Sequence, residues 1–125
     1  MKGVLLMKDN KIRCCFVDDE TGKVYIIPKG IKYISRNSAD SIVPISDDKK
    51  FVSHPHLEVV YGGSKTPPMI FDCNSSNGSY INGERVCTIG PTSTRIGDII
   101  SLGSSDYKHP SKNSIHLRVE LCVEI

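Results

Sequence analysis

Ile115-His116-Leu117-Arg118-Val119-Glu120-Leu121-Cys122-Val123-Glu124-Ile125 closes the chain, and its alternation is the clearest fold signal in the sequence. Every odd position is Ile, Leu or Val, and every even position is His, Arg, Glu or Cys. A period of two places the apolar set on one face of a β-strand, whereas a helix would scatter it around the axis. The stretch predicts a long strand with one buried and one mostly wet face, Cys122 on the latter. Working back from it, shorter apolar runs recur at residues 4–7, 14–17, 24–27, 31–34, 42–45, 57–61, 69–71, 79–81, 85–89 and 99–102, making eleven with the last. Between them lie turn-forming residues: Asp9-Asn10, Thr21-Gly22, Pro28-Lys29-Gly30, Gly62-Gly63, Asn82-Gly83 and Gly97-Asp98. Asn-Gly is the strongest of these, because both residues tolerate positive φ and close a two-residue hairpin. This beat of short strands and tight turns predicts an all-β sandwich or barrel.

Composition agrees. Ile and Val together number 25, against 7 for Leu and Ala combined. β-Branched side chains suit a pleated sheet and stiffen a helix, so a helical bundle and a doubly wound α/β enzyme are excluded. A length of 125 residues fits one domain, 1–125. The net charge of +2 is too balanced to announce a phosphate-backbone binder by itself. No stretch approaches the roughly 18 apolar residues of a membrane helix. The opening Val4-Leu5-Leu6-Met7 is too short for a secretory signal and lacks a small-residue cleavage site, so the chain is expected inside the cell. Cys14, Cys15, Cys73, Cys87 and Cys122 include no C-x-x-C, which reads as free thiols, most of them packing residues, and no zinc knuckle.

Three loops carry more polar side chains than turns require: Ser35-Arg36-Asn37-Ser38, Ser53-His54-Pro55-His56 and Asp72-Cys73-Asn74-Ser75-Ser76-Asn77-Gly78-Ser79. Arg36 is their only Lys or Arg, and a guanidinium can hold two oxygens of an anion at once. Short serine hydroxyls add donors at little entropic cost, and a turn around Asn77-Gly78 can aim backbone N–H groups at an anion. Other readings of the same residues stand beside this one. Ser53 with His54 or His56 could be a nucleophile and base, although no Gly-x-Ser-x-Gly elbow is present. His54-x-His56 could chelate a metal, although no third ligand has a characteristic spacing, and no metal or cofactor is expected. A nucleic-acid-binding β-barrel would need its aromatics aligned on one face for base stacking, and the eight present are scattered. Thr66-Pro67 reads as a loop, His109 and His116 as surface groups, and Gly97-Asp98 as a turn whose Asp bonds its own backbone.

Five blocks in order, Ser35-Arg36, Ser53-x-x-His56, Ser75-Ser76-Asn77-Gly78-Ser79, Asn82-Gly83 and Gly97-Asp98 with a trailing Leu102-Gly103, resemble the forkhead-associated (FHA) domain, a phosphothreonine-peptide reader. Ser35 stands where that family has Gly, and Ser79 where Thr is usual. The resemblance implies an eleven-stranded β-sandwich with its binding loops at one end and no enzymatic activity. It implies that Arg36, Ser53 and Ser76 hold the phosphate. Lys50, Phe51, His54, Ser75 and Asn77 would then face the peptide. His56, Gly78, Ser79, Asn82 and Gly83 would be structural, with His56 packing inward onto the neighbouring loop and Asn82 pinning the third loop. The implied partner is a phosphothreonine protein, not nucleic acid or membrane, bound by a monomeric domain at the N-terminus of a larger protein. Because such domains occur in checkpoint kinases and DNA-repair scaffolds, the implied setting is nuclear kinase and DNA-damage signalling, or otherwise the cytoplasm. The alternative within the same fold is a scaffold that binds phosphate weakly or not at all, since Ser35 replaces the usual Gly.

Overall fold

The computed structural model describes residues 11–124, so the 4–7 run lies outside the described residues. Within them the chain is all β: β1 (Lys11–Asp18), β2 (Val24–Ile26), β3 (Gly30–Ile34), β4 (Leu57–Tyr61), β5 (Met69–Asp72), β6 (Ser79–Ile81), β7 (Glu84–Arg85), β8 (Thr92–Ser93), β9 (Ile99–Leu102) and β10 (Ile115–Glu124). Two sheets form, in the orders β2-β1-β10-β9-β6-β7 and β3-β4-β5-β8, and neighbouring strands run antiparallel. The longest pairing is β1 with β10, in register from Lys11 opposite Glu124 to Asp18 opposite Leu117. Inward side chains from both sheets, among them Phe16, Ile34, Leu57, Val59, Ile70, Ile100, Leu102, Leu117 and Val119, share one core. Burying that apolar surface is the main term favouring the fold.

The apolar runs map onto these strands with instructive exceptions. The 42–45 run buries Val43 and Ile45, yet it forms only a single bridge, Ile45 to Arg36. Pro44 within it has no N–H to give a ladder. Of the 85–89 run only Arg85 lies in a strand, β7, which pairs with β6, and Ile89 is 93% exposed. β8 follows Pro91 with polar residues and no alternation, so nothing in its sequence marks it. On β10 the buried face ends early: Ile115, Leu117 and Val119 are buried, but Leu121 and Val123 are 47% and 57% exposed. A period of two identifies a face without saying how far the opposite sheet extends over it.

His116, expected at the surface, is buried. It lies on the even face of β10, where one ring nitrogen bonds Ser101 Oγ at 2.6 Å and the other Ser114 Oγ at 3.2 Å. Both polar atoms are thereby satisfied, which makes burial tolerable. All five cysteines are free; Cys14 and Cys15 are buried, Cys73 and Cys122 half-buried and Cys87 exposed. Burial pushes the Cys15 thiol up to about 12, with the nearby Cys122 thiol adding to the effect.

Candidate functional site at the loop end

Two connections meet at one end of the sandwich, residues 35–56 between β3 and β4 and residues 73–78 between β5 and β6. His56 joins them. Its ring is wholly buried, with Nδ1 accepting the Ser53 backbone N–H at 2.9 Å and Nε2 donating to the Gly78 carbonyl at 2.9 Å. Only the neutral ring protonated at Nε2 fits both bonds, and burial lowers the pKa to match. Asp72 Oδ1 lies 3.9 Å from Nε2, but with the ring neutral this is proximity and not an ion pair. Three further bonds cross between the connections: Cys73 N–H to the His56 carbonyl at 2.9 Å, Ser76 N–H to Ser53 Oγ at 3.2 Å, and Asn77 Nδ2 to the Phe51 carbonyl at 3.2 Å.

Arg36 leaves the end of β3 and folds along the same connection. Its backbone N–H donates to the Ser53 carbonyl at 3.1 Å and its Nε to the Val52 carbonyl at 2.8 Å. The guanidinium therefore lies beside the Val52-Ser53 backbone, half-buried, with Nη1 3.1 Å from Asp47 Oδ1. Asp47 Oδ2 in turn lies 3.1 Å from Lys50 Nζ. His54 is exposed and donates its Nδ1–H to the Arg36 carbonyl, 2.7 Å away. Arg36, Asn37, Asp47 and His54 line a small open cavity of about 190 Å³. The structure thus brings Arg36, Ser53 and Ser76 onto one surface, with Phe51, His54 and Asn77 around them and Lys50 held by Asp47.

Asp72, to which the sequence reading assigned no role, anchors the third loop. It is buried at the end of β5 and accepts the Ser75 N–H at 2.9 Å, Ser75 Oγ at 2.6 Å and Ser79 Oγ at 2.5 Å. Burial alone would raise its pKa, but these hydrogen bonds outweigh it and hold the carboxyl below its ordinary value. The signal in the sequence is an Asp three residues before a Ser, the spacing of a side chain bonding its own turn. Ser75 consequently turns inward. It is buried, and its hydroxyl also accepts the Gly78 N–H at 3.0 Å, so it supports the loop and does not face a peptide.

Asn82 also differs from expectation. With φ of 52°, followed by Gly83 at 86°, it forms the hairpin turn between β6 and β7. Its side chain, however, bonds Asp98 Oδ1 at 3.0 Å and the Ile99 N–H at 2.9 Å, tying the hairpin to β9 and leaving the third loop to Asp72 and His56. Asp98 spends its other oxygen on the Arg95 N–H, 2.8 Å away. Ser35, where a Gly was the family pattern, is buried and is not among the residues of positive φ, so its Cβ imposes no strain.

His56 is not placed to act as a base for Ser53. Both nitrogens of His56 are committed to backbone groups, so it has none left to take a proton from Ser53. His54 and His56 also diverge, one exposed and one buried, so they do not form a chelating pair. Tyr33 and Phe51 are the exposed aromatics among the described residues, one on β3 and the other in the following connection.

A family model for the FHA domain matches residues 34–103. Among solved structures, an FHA domain from work on phosphothreonine-dependent FHA domain interactions is 26% identical, with 87% of this chain and 94% of that one covered and a TM-score of 0.63. The FhaA FHA domain, complexed with the intracellular domain of Rv3910, is 25% identical over 88% of this chain and all of that one, again with a TM-score of 0.63. The N-terminal FHA domain of Rad53p from S. cerevisiae, in complex with a phosphothreonine peptide, is 15% identical over 87% and 93% of the two chains, with a TM-score of 0.64. Curated protein sequences contain no match.

Proposed function

The chain belongs to the FHA domain family, and from that premise we propose that it is a non-enzymatic module that binds partner proteins through a phosphorylated threonine. The observation that carries this reading is the meeting of Arg36, Ser53 and Ser76 on two loops cross-linked by His56. A phosphothreonine brings close to two negative charges and three acceptor oxygens. Arg36 supplies a charge-assisted donor, and the hydroxyls of Ser53 and Ser76 supply neutral ones. Phe51, His54 and Asn77 border that surface and would meet the residues flanking the phosphothreonine. A γ-methyl contact, worth about 1 kcal/mol when buried, would favour threonine over serine. Two relatives at about this chain's level of similarity, one studied for phosphothreonine-dependent interactions and one bound to a partner's intracellular domain, support the same reading.

An oriented phosphothreonine-peptide library, screened with the wild type and with Arg36→Ala, tests it. Phosphorylation-dependent binding by the wild type, weakened at least tenfold in the variant and by added salt, is expected. Binding that ignores phosphorylation, or that persists in Arg36→Ala, overturns it. As for setting, we propose nuclear phosphosignalling, on family frequency; exclusion of the tagged full-length protein from the nucleus would sink that part alone.

A further inference from the structure

The guanidinium proposed to receive the phosphate is not idle in the free protein. Asp47 Oδ1 sits 3.1 Å from Arg36 Nη1, on the open side of the residue and in the wall of the cavity that His54 and Asn37 complete. The opposite side, Nε, is already committed to the Val52 carbonyl. An incoming anion therefore meets a carboxylate on the face of Arg36 that it needs. The geometry points to Asp47 as an internal competitor for the phosphate, a residue that sets the affinity threshold of the site. This inference rests on the phosphothreonine-reader proposal and refines it.

Four features make the competition effective and reversible. Asp47 belongs to the same connection as Arg36, so its carboxylate is present at the millimolar effective concentration of a tethered group, and a dilute peptide carboxylate of equal charge gains little by replacing it. A phosphate dianion differs: it carries more charge, and it can engage Ser53 and Ser76 as well as Arg36. Asp47 is also 65% exposed, so moving it exposes no apolar surface. Lys50 offers it a second seat, since Oδ2 already lies 3.1 Å from Nζ. On this account Lys50 holds the displaced carboxylate and need not touch the peptide. Neighbouring Asp48 serves as a contrast, because its carboxylate bonds Ser46 Oγ, away from Arg36.

The test compares wild type, Asp47→Asn and Asp48→Asn, each removing one negative charge from the same turn. Each is titrated with degenerate peptide pools carrying phosphothreonine, threonine or glutamate at the fixed position. Asp47→Asn should tighten phosphothreonine binding about threefold or more at low salt, with a smaller gain at high salt, while Asp48→Asn stays near wild type. Phosphopeptide binding by Asp47→Asn where the wild type is silent would support the same inference in stronger form. Equal or weaker binding by Asp47→Asn, or an equal gain in Asp48→Asn, overturns the competitor and leaves the reader standing. Failure of wild type and Asp47→Asn alike to prefer the phosphothreonine pool removes the reader, and the competitor with it.

Discussion

An imidazole whose two nitrogens serve two different loops works only while it is neutral, and His56 is such a ring. Nδ1 must lack a proton to accept from Ser53 N–H, and Nε2 must carry one to donate to Gly78. Replacing it leaves the half-buried Ser53 N–H without its partner, strips the Gly78 carbonyl of one of its two donors, and opens a cavity. Each loss is worth about 1–3 kcal/mol. His56→Ala is therefore expected to lower stability by about 3 kcal/mol in urea unfolding. It should also weaken phosphopeptide binding, although the ring never reaches the ligand surface. Unchanged stability would show that the two loops hold together without it. At this scale the sequence was only partly legible. Arg36, Ser53 and Ser76 stand out because polar groups cluster where turns do not need them. Asp72 and Ser75 do not, because Asp and Ser three residues apart look like any turn until burial gives the carboxylate three donors. Asn82 misled in the opposite way: its turn geometry is local and readable, but its side-chain partners, Asp98 and Ile99, come from a distant strand.

Elements place these residues, and the end of β9 bears on both loops at once. Gly103, directly after Leu102, donates its N–H to the Gly78 carbonyl at 3.0 Å, on the same oxygen that His56 uses. Its φ is 96°, and a Cβ there would lie 2.6 Å from Phe51 Cβ and 2.9 Å from the Phe51 carbonyl oxygen. That carbonyl accepts from Asn77, so the one glycine braces Phe51 and the third loop together. Gly103→Ala would add backbone strain to a collision with main chain, two effects of about 1–3 kcal/mol each. A fall of about 2 kcal/mol or more in thermal or urea unfolding is expected, accompanied by weaker phosphopeptide binding. A variant as stable as wild type would mean that the Phe51 backbone yields freely. The strand pattern itself was legible where one face is buried, as in β4, whose Leu57, Val59 and Tyr61 are all buried even though Val60 breaks the strict alternation. It was not legible where pairing is decided by a partner's edge. β8 pairs with Met69 and Ile70 through two polar residues, and 42–45 is buried by its side chains without joining a ladder.

Across the whole molecule, two buried histidines on different sheets couple the sandwich to pH. His56 leads into β4 and His116 lies within β10. For both, burial lowers the pKa beneath the ordinary value of 6.5; for His116 the carboxylates of Glu20, Asp19, Asp18 and Asp106 pull partly the other way, as Asp72 does for His56. Between the folded and unfolded values the unfolded chain binds more protons. Stability is therefore complete above pH 6.5 and drains as pH falls below it, at a slope of up to about 1.4 kcal/mol per pH unit for each ring. Asp72 has the same direction in a lower window. Its folded pKa is below the ordinary 3.8, so the stability it confers is present above that value and is lost as pH falls through the folded one. Acidification should thus destabilise the fold in two stages, the first from the histidines and the second from the carboxylate. Urea midpoints at pH 7.5, 6 and 5 without peptide isolate the first stage from the second ionisation of phosphate, which falls near pH 6. The midpoint should decline across that series, and His116→Gln, which keeps polarity without a titrating ring, should flatten the decline while lowering the starting value. A midpoint constant from pH 7.5 to 5 would mean that both rings accept a proton in place, which His56 could do only by giving up the bond from the Ser53 N–H that ties it to its own loop, whereas the hydroxyls of Ser101 and Ser114 could turn to accept from a protonated His116.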